Sequence, residues 1–298
     1  MADSSERGER AWTVLEALEW TRGYLEDKGD EHPRRSAEWL LSAATGLSRV
    51  EQYAHHDRPL TPQERGTLRA GITRRAQGEP LQYVTGEVPF RHLVLRVTAG
   101  VFIPRPETEV LVDRVLGHLD ASAAAEPLVV DLCTGSGAIA VSIAHERPAA
   151  QVWATEIEPL SVETARGNAE RAGVAQRVTV LEGDLFAPLP KELRGRIVAI
   201  AANPPYVPTA DLASLPAEVA VFEPARALDG GPDGMDLVLR IAREAREWLA
   251  PDGIVVIEAD TARVRDTARA MSAWYEDVDV GRDLTGRDRI AIGTGREA

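Results

Sequence analysis

Val129-Val130-Asp131-Leu132-Cys133-Thr134-Gly135-Ser136-Gly137-Ala138-Ile139-Ala140 is an apolar run that ends in a glycine turn and passes into a helical pattern. Glycines between a strand and a helix let the backbone approach a nucleotide-like ligand, and the helix that follows offers free N–H groups. A tight turn requiring positive φ is the alternative reading of an isolated Gly-x-Gly. Glu156 lies 19 residues past Gly137, at the end of the next apolar run. An acid there can accept both hydrogens of a ribose diol, so the two features together predict a nucleoside site.

Outward from this turn, strand-like and helix-like patterns alternate. Apolar strands are expected near Leu128–Leu132, Val152–Thr155, Val178–Leu181, Ile197–Ala202 and Ile254–Ile257, with helices over Ala138–His145, Leu160–Ala172, Met235–Leu249 and Thr261–Ser272. Such alternation means an α/β fold with a mostly parallel, doubly wound sheet. Val278–Val280 and Arg289–Ile292, separated by a turn containing Gly286, read as antiparallel neighbours at one edge. The first eighty residues are different. Ala11, Val14, Leu15, Leu18 and Leu25 recur at helical spacing, Ala37, Leu40, Leu41 and Ala44 repeat the stripe after Pro33, and Thr61-Pro62-Gln63-Glu64 is a capping box opening a helix to about Ala76. Trp12, Trp20 and Trp39 are expected in the core of this helical domain. From Tyr83 to Val97 β-type residues broken by Gly86 and Pro89 suggest a hairpin. The expected domains are therefore 1–80, helical; 81–105, a β-hairpin connector; and 106–298, the α/β domain.

Composition narrows the chemistry. In 298 residues, 34 basic and 47 acidic side chains leave a net charge of −13, which opposes a nucleic-acid backbone as the main partner. A single cysteine cannot form an internal disulfide, and Met1 to Glu9 is too polar for a signal peptide and reads as a flexible end, so a cytoplasmic protein is expected. No apolar run approaches the length of a membrane span. The six histidines lack zinc-ligand spacing and no phosphate loop occurs, so no metal site is expected.

Gly135, Gly137 and Ala140 also fit the dinucleotide pattern, which keeps a nicotinamide enzyme as a rival. Asp131, four residues before Gly135, favours another ligand: a carboxylate there opposes a pyrophosphate but can order the loop around a cation. S-adenosylmethionine carries a sulfonium and an ammonium group. Asp184, in Glu182-Gly183-Asp184-Leu185-Phe186, is placed to accept from an adenine amino group, or else is a turn residue. The fourth strand then ends in Ala202-Asn203-Pro204-Pro205-Tyr206. Two prolines stiffen this corner and push Asn203 into extended backbone. A planar amide or aromatic amine is a poor nucleophile with two N–H groups that need acceptors. The Asn203 side-chain oxygen and the Pro204 carbonyl can supply them, and Tyr206 can stack on the planar group.

These residues resemble the HemK/PrmC family, the release factor glutamine methyltransferases, over nearly the whole chain. Further matching blocks are Pro80-Leu81-Gln82-Tyr83 with Gly86, Ile103 to Glu109, Phe222-Glu223-Pro224, Ala227 to Gly234 and Asp283 to Arg289. The resemblance implies a class I S-adenosylmethionine-dependent methyltransferase: a Rossmann-like, seven-stranded, mostly parallel sheet with a small helical N-terminal domain. It implies methyl transfer from S-adenosylmethionine to the side-chain nitrogen of the glutamine in the Gly-Gly-Gln loop of bacterial class I release factors, with a helical domain that helps hold the substrate. The sequence leaves the oligomeric state open, with a monomer as the default expectation. Carried over residue by residue, Asp131, Cys133, Thr134, Gly135, Ser136 and Gly137 belong to the cofactor loop, Glu156 to the ribose, and Asp184 and Leu185 to the adenine. Asn203, Pro204, Pro205 and Tyr206 hold the glutamine, Asn203 also standing near the cofactor; Asn203, Pro204 and Tyr206 serve the reaction. A nucleic-acid amino-methyltransferase is the alternative, since Asn-Pro-Pro-Tyr suits exocyclic amines of bases equally well. Three departures stand out. Cys133 replaces a common glycine, Leu185 stands where relatives often carry an aromatic, and Glu258-Ala259-Asp260 replaces a Glu-x-Gly turn, a change expected to bear on loop shape alone. Arg105 and Glu107 could line the entrance or form an interdomain salt bridge. Glu223 could approach substrate or cap backbone.

Overall fold

Side-chain caps open three helices of the N-terminal region. Thr13, Ser48 and Thr61 accept the third backbone N–H of α1 (Val14–Asp27), α3 (Arg49–Ala54) and α4 (Pro62–Ala76), and Glu16, Glu51 and Glu64 return the bond to the cap, satisfying donors that a helix start leaves free. Between them α2 (Pro33–Thr45) starts on a proline and stops at Gly46 with φ 73°, and α5 (Leu81–Thr85) stops in the same way at Gly86. Val14, Leu18 and Leu25 pack with Leu40, Leu41, Leu68 and Ile72 into one core.

The computed structural model describes residues 12–295, and the chain divides into two units after Gly86. The expected flexible Met1 to Glu9 and Ala11 lie outside the described residues. Three expectations are corrected here. The boundary falls at Gly86, not residue 80, because Tyr83 and Val84 belong to α5, whose Leu81 joins the helical core. Trp12 and Trp20 are exposed, as is Leu15. Helix α1 buries Val14, Ala17, Leu18, Thr21 and Leu25; off that face, Trp20 stacks on Tyr24 at 5.1 Å and meets Trp12 edge-on at 5.6 Å. Trp39 is partly buried against the core, as expected.

The hairpin β1 (Glu87–Phe90) and β2 (Leu93–Arg96) belongs to the larger unit and is not a separate connector. The buried Asn168 side chain bonds both the N–H and the carbonyl of Arg96, at 2.7 and 2.9 Å, and also the carbonyl of Ser136 in the glycine loop. After the hairpin come α6 (Glu109–Ala121), β3 (Leu128–Leu132), α7 (Ala138–Glu146), β4 (Gln151–Glu156), α8 (Pro159–Arg171), β5 (Val178–Glu182) and β6 (Ile197–Ala202). They are followed by α9 (Ala217–Phe222), α10 (Asp236–Ala245), β7 (Leu249–Glu258), α11 (Val264–Met271), β8 (Asp277–Arg282) and β9 (Asp288–Thr294). The seven strands order as β5-β4-β3-β6-β7-β9-β8. The first five are parallel, and β9 inserts antiparallel between β7 and β8. This is the doubly wound α/β sheet expected, including the antiparallel edge. The helix expected to reach Leu249 stops at Ala245, because Leu249 pairs with Ile197 and opens β7. The face of α10 made by Val238, Ile241, Ala242 and Ala245 is buried against the sheet with Ile200, Val255 and Ile257. No helix among the described residues is long and apolar enough to cross a membrane.

Candidate active site

Strand order reverses at β3, which has β4 on one side and β6 on the other, and α/β sheets bind ligands in the crevice at such a point. Leu132 pairs with Ala202, so Cys133 and Asn203 leave the sheet side by side. A cavity of ≈ 590 Å³ opens there, a volume suited to a small-molecule ligand. Asp131 and Gly137 aside, every residue assigned from the sequence to the cofactor or to the substrate amide lines it: Cys133, Thr134, Gly135 and Ser136, then Glu156, Asp184 and Leu185, and Asn203 to Tyr206. Arg105 lines it too, whereas Glu107 and Glu223 do not.

Asp131 and Gly137 act from behind the wall. Fully buried, Asp131 accepts the Thr134 hydroxyl at 2.5 Å and the Ala140 N–H at 3.0 Å. Burial pushes its carboxyl up to about 7 against the pull of these two bonds. It braces the loop and does not face the ligand space as a direct contact would. At Gly137 a Cβ would come within 3.1 Å of Ala165, so this glycine lets α7 pack on α8. Gly135 differs. Its φ is 55°, and a Cβ there would meet nothing within 4 Å: the open space beside it is cavity. Cys133 also takes a positive φ, 56°, and burial pushes its thiol far above the usual range, with Glu156 and Asp131 adding to the effect. A protonated, packed thiol is inert.

Glu156 closes the loop from the neighbouring strand. One oxygen accepts the Gly135 N–H at 2.9 Å, and the other accepts the N–H groups of Ile157 and Glu158 at 2.8 and 3.0 Å. Asp184 is held by Arg240, 2.8 Å from its Oδ2 and 3.2 Å from its Oδ1. Sequence reasoning missed Arg240, because nothing in its helical context marks it as the partner of Asp184.

At the Asn-Pro-Pro-Tyr corner, Asn203 Nδ2 donates to Thr108 Oγ1 at 3.1 Å. The Tyr206 hydroxyl lies 3.5 Å from Glu258 Oε1, and burial, with the Glu258 charge beside it, pushes the phenol well above its usual range. Glu258 is itself buried and its carboxyl is pushed up to about 7. Glu258, the acid that this turn shares with the Glu-x-Gly pattern, thus stands behind the asparagine corner. Arg105 lines the cavity, stacks over Phe102 at 4.9 Å and pairs with the buried Glu223, which also accepts the Ile103 N–H. Both residues lie in the larger unit, so the interdomain pairing considered for Arg105 is replaced by a bond that fastens two loops of one unit. The Ala227–Gly234 block explains itself sterically. A Cβ on Gly230 would stand 2.7 Å from Tyr206 Cα, and one on Gly234 2.2 Å from the Tyr206 carbonyl oxygen. Only glycine lets this segment press against the corner.

Sheet order, glycine loop and asparagine-proline corner define an α/β domain of the methyltransferase type. Residues 16–86 match the family model described as PrmC N-terminal domain, and residues 106–231 that of the methyltransferase small domain. The release factor glutamine methyltransferase of Geobacter sulfurreducens is 44% identical over 283 residues, which is 95% of this chain and 96% of the relative. That of Moorella thermoacetica is 43% identical over 289 residues, 96% and 99% of the two chains. A solved protein-(glutamine-N5) methyltransferase (release factor-specific) from Alicyclobacillus acidocaldarius is 28% identical, covers 66% of this chain and 95% of its own, and has a TM-score of 0.41. The chain belongs to the release factor glutamine methyltransferase family.

Proposed function

We propose that this enzyme transfers a methyl group from S-adenosylmethionine to the side-chain amide nitrogen of the glutamine in the Gly-Gly-Gln loop of bacterial class I release factors. The observation that carries the reading is Asn203: its Nδ2 is tied to Thr108, which leaves Oδ1 as the group it can offer to an incoming amide in a cavity shared with the glycine loop. The residues present suit the cofactor. Gly135 leaves a cradle that a Cβ would fill, Glu156 stands at the end of β4 for a ribose diol, and Asp184 with Leu185 borders the space for an adenine. When bound, S-adenosylmethionine supplies an electrophilic methyl group.

The chain's own part is alignment and charge. Asn203 Oδ1 and the Pro204 carbonyl accept the two amide hydrogens of the substrate, holding its nitrogen in one orientation and stabilising the positive charge that develops on it. The Tyr206 ring, packed against the core, supports the amide plane. The proton leaves late, to water, so no strong base is needed. The helical unit serves the protein substrate, and the enzyme acts in the cytoplasm as a monomer.

Asn203→Ala is expected to lower transfer about a hundredfold, roughly 3 kcal/mol of transition-state stabilisation, while cofactor affinity stays within a few fold. Equal loss of both would make Asn203 chiefly a cofactor ligand. The substrate is tested with labelled S-adenosylmethionine, a class I release factor, and the same factor with its loop glutamine changed to alanine. Label on the unaltered factor alone, mapped to that glutamine by mass spectrometry, is the expected result. Absence of label from both, with cofactor binding intact, would reject the substrate and make oligonucleotides the next candidates.

A further inference from the structure

Glu258 ends β7 one residue past Ile257, which pairs with Ala202. The register therefore sets Glu258 level with Asn203 on the adjacent strand, behind the cavity wall. It is 1% exposed and has no salt bridge among the described residues, and its Oε2 is buried without an aligned hydrogen-bond partner. A carboxylate held like this is costly to the fold, and such groups concentrate where function needs them. What faces it is specific. From the segment before α6 come the Thr108 hydroxyl, which stabilises its charge, and Glu107, which opposes it; the Tyr206 hydroxyl comes from beyond β6 and Arg289 from β9. Thr108 Oγ1 is also the atom that accepts from Asn203 Nδ2.

We propose that Thr108 and Glu258 are positioning residues that set which end of the Asn203 amide meets the substrate. A hydroxyl has one hydrogen, and an ionised carboxylate can only accept. If Glu258 takes the Thr108 hydrogen, Thr108 Oγ1 is left as an acceptor, and the Asn203 side chain must turn its NH₂ to Thr108 and its oxygen to the cavity. Without that acceptor the Thr108 hydrogen is free to bond Asn203 Oδ1. The amide can then flip and present hydrogens to the substrate's own N–H groups, where donor meets donor. Glu258 is outside the cavity lining, so it acts on the reaction through Thr108. This inference rests on the reading that Asn203 Oδ1 holds the glutamine amide.

The test uses the full chain, labelled S-adenosylmethionine and a class I release factor, with kcat, KM and cofactor affinity read separately. Thr108→Val, which keeps the shape and removes the hydroxyl, is expected to lower kcat about tenfold or more, less than loss of the Asn203 acceptor itself, with cofactor affinity unchanged; Thr108→Ser restores it. Wild-type kcat should fall on the acid side of about pH 7 as Glu258 gains a proton and becomes able to donate. Glu258→Gln should be slower throughout and lack that acid limb. A Thr108→Val variant with wild-type kcat, or a Glu258→Gln variant that keeps the acid limb, would overturn the proposal. If Thr108→Val does not fold, Thr108→Ser and the pH profile of Glu258→Gln decide. Asn203→Ala separates the two levels: a fully active variant removes the underlying reading and the proposal with it, whereas an inactive one beside a fully active Thr108→Val removes the proposal alone.

Discussion

Cys133 occupies a backbone position that favours glycine. Its φ of 56° brings Cβ toward the carbonyl oxygen, a conformation that costs an L-residue about 1–2 kcal/mol. Part of this would be offset by the greater freedom of glycine in the unfolded chain, roughly 0.5–1 kcal/mol. Cys133→Gly is therefore expected to stabilise the protein by about 1 kcal/mol and to preserve methyl transfer, checked by the midpoint of urea unfolding at constant slope. An unchanged or lower midpoint would mean that thiol packing outweighs the backbone term. At this scale the sequence is most informative where a side chain's chemistry is its role. Asn203 and Glu156 could be named from residue type and position. Thr108 and Glu258 could not be paired, because they are 150 residues apart: the parallel register of β6 and β7 sets Glu258 level with Asn203, and the segment before α6 brings Thr108 to the same side chain.

Elements position what residues supply. The segment from Ala227 to Gly234 lies on the asparagine corner through bonds between Val207 and both Leu228 and Gly230, at 2.9 and 2.8 Å, and Asp229 fastens its turn by accepting from Thr209 and the Gly231 N–H. Gly234 has φ 78°, and a Cβ there would overlap the Tyr206 carbonyl. Gly234→Ala should displace this segment, lowering kcat at least tenfold on the scale of a misplaced acceptor with little change in far-ultraviolet circular dichroism. A variant with normal kcat would show that the corner holds its shape without this buttress. Sequence periodicity located the elements well where burial is one-sided or complete. It failed at Tyr83–Val84, β-type residues that α5 commits to the helical core, and at Leu249, whose strand pairing overrides a helical pattern.

Across the whole molecule, two buried carboxyls couple stability to pH. Burial raises both Asp131 and Glu258 to about 7, above their values in an unfolded chain. At these two sites the folded state binds more protons than the unfolded state, so their contribution to stability is fully present below about pH 4 and is lost as pH rises through 7, opposite to that of paired carboxylates such as Asp30 and Glu146, which is lost as pH falls. Glu258→Gln removes one of these ionisations. It is expected to gain on the order of 3 kcal/mol over wild type at pH 8 and almost nothing near pH 4, measured by urea unfolding at both values. Combined with the lower kcat expected of the same variant, this would mark a residue kept for activity at the expense of stability. Equal stabilities at pH 8 would show that Glu258 is better solvated than its burial implies.

The sequence by itself determined the alternation of strands and helices, the helical N-terminal unit, the glycine loop and the asparagine corner, because each is written in local spacing and in residues whose backbone limits are severe. Tertiary structure alone decided which of those residues face the cavity. Packing of the helices and strands put Asp131 and Gly137 behind its wall, set Thr108 into the lining, and brought Arg240 to Asp184 and Glu258 to the back of the asparagine corner. Burial then set the protonation of the carboxyls, since desolvation depends on what surrounds a group in space and not on its neighbours in the chain.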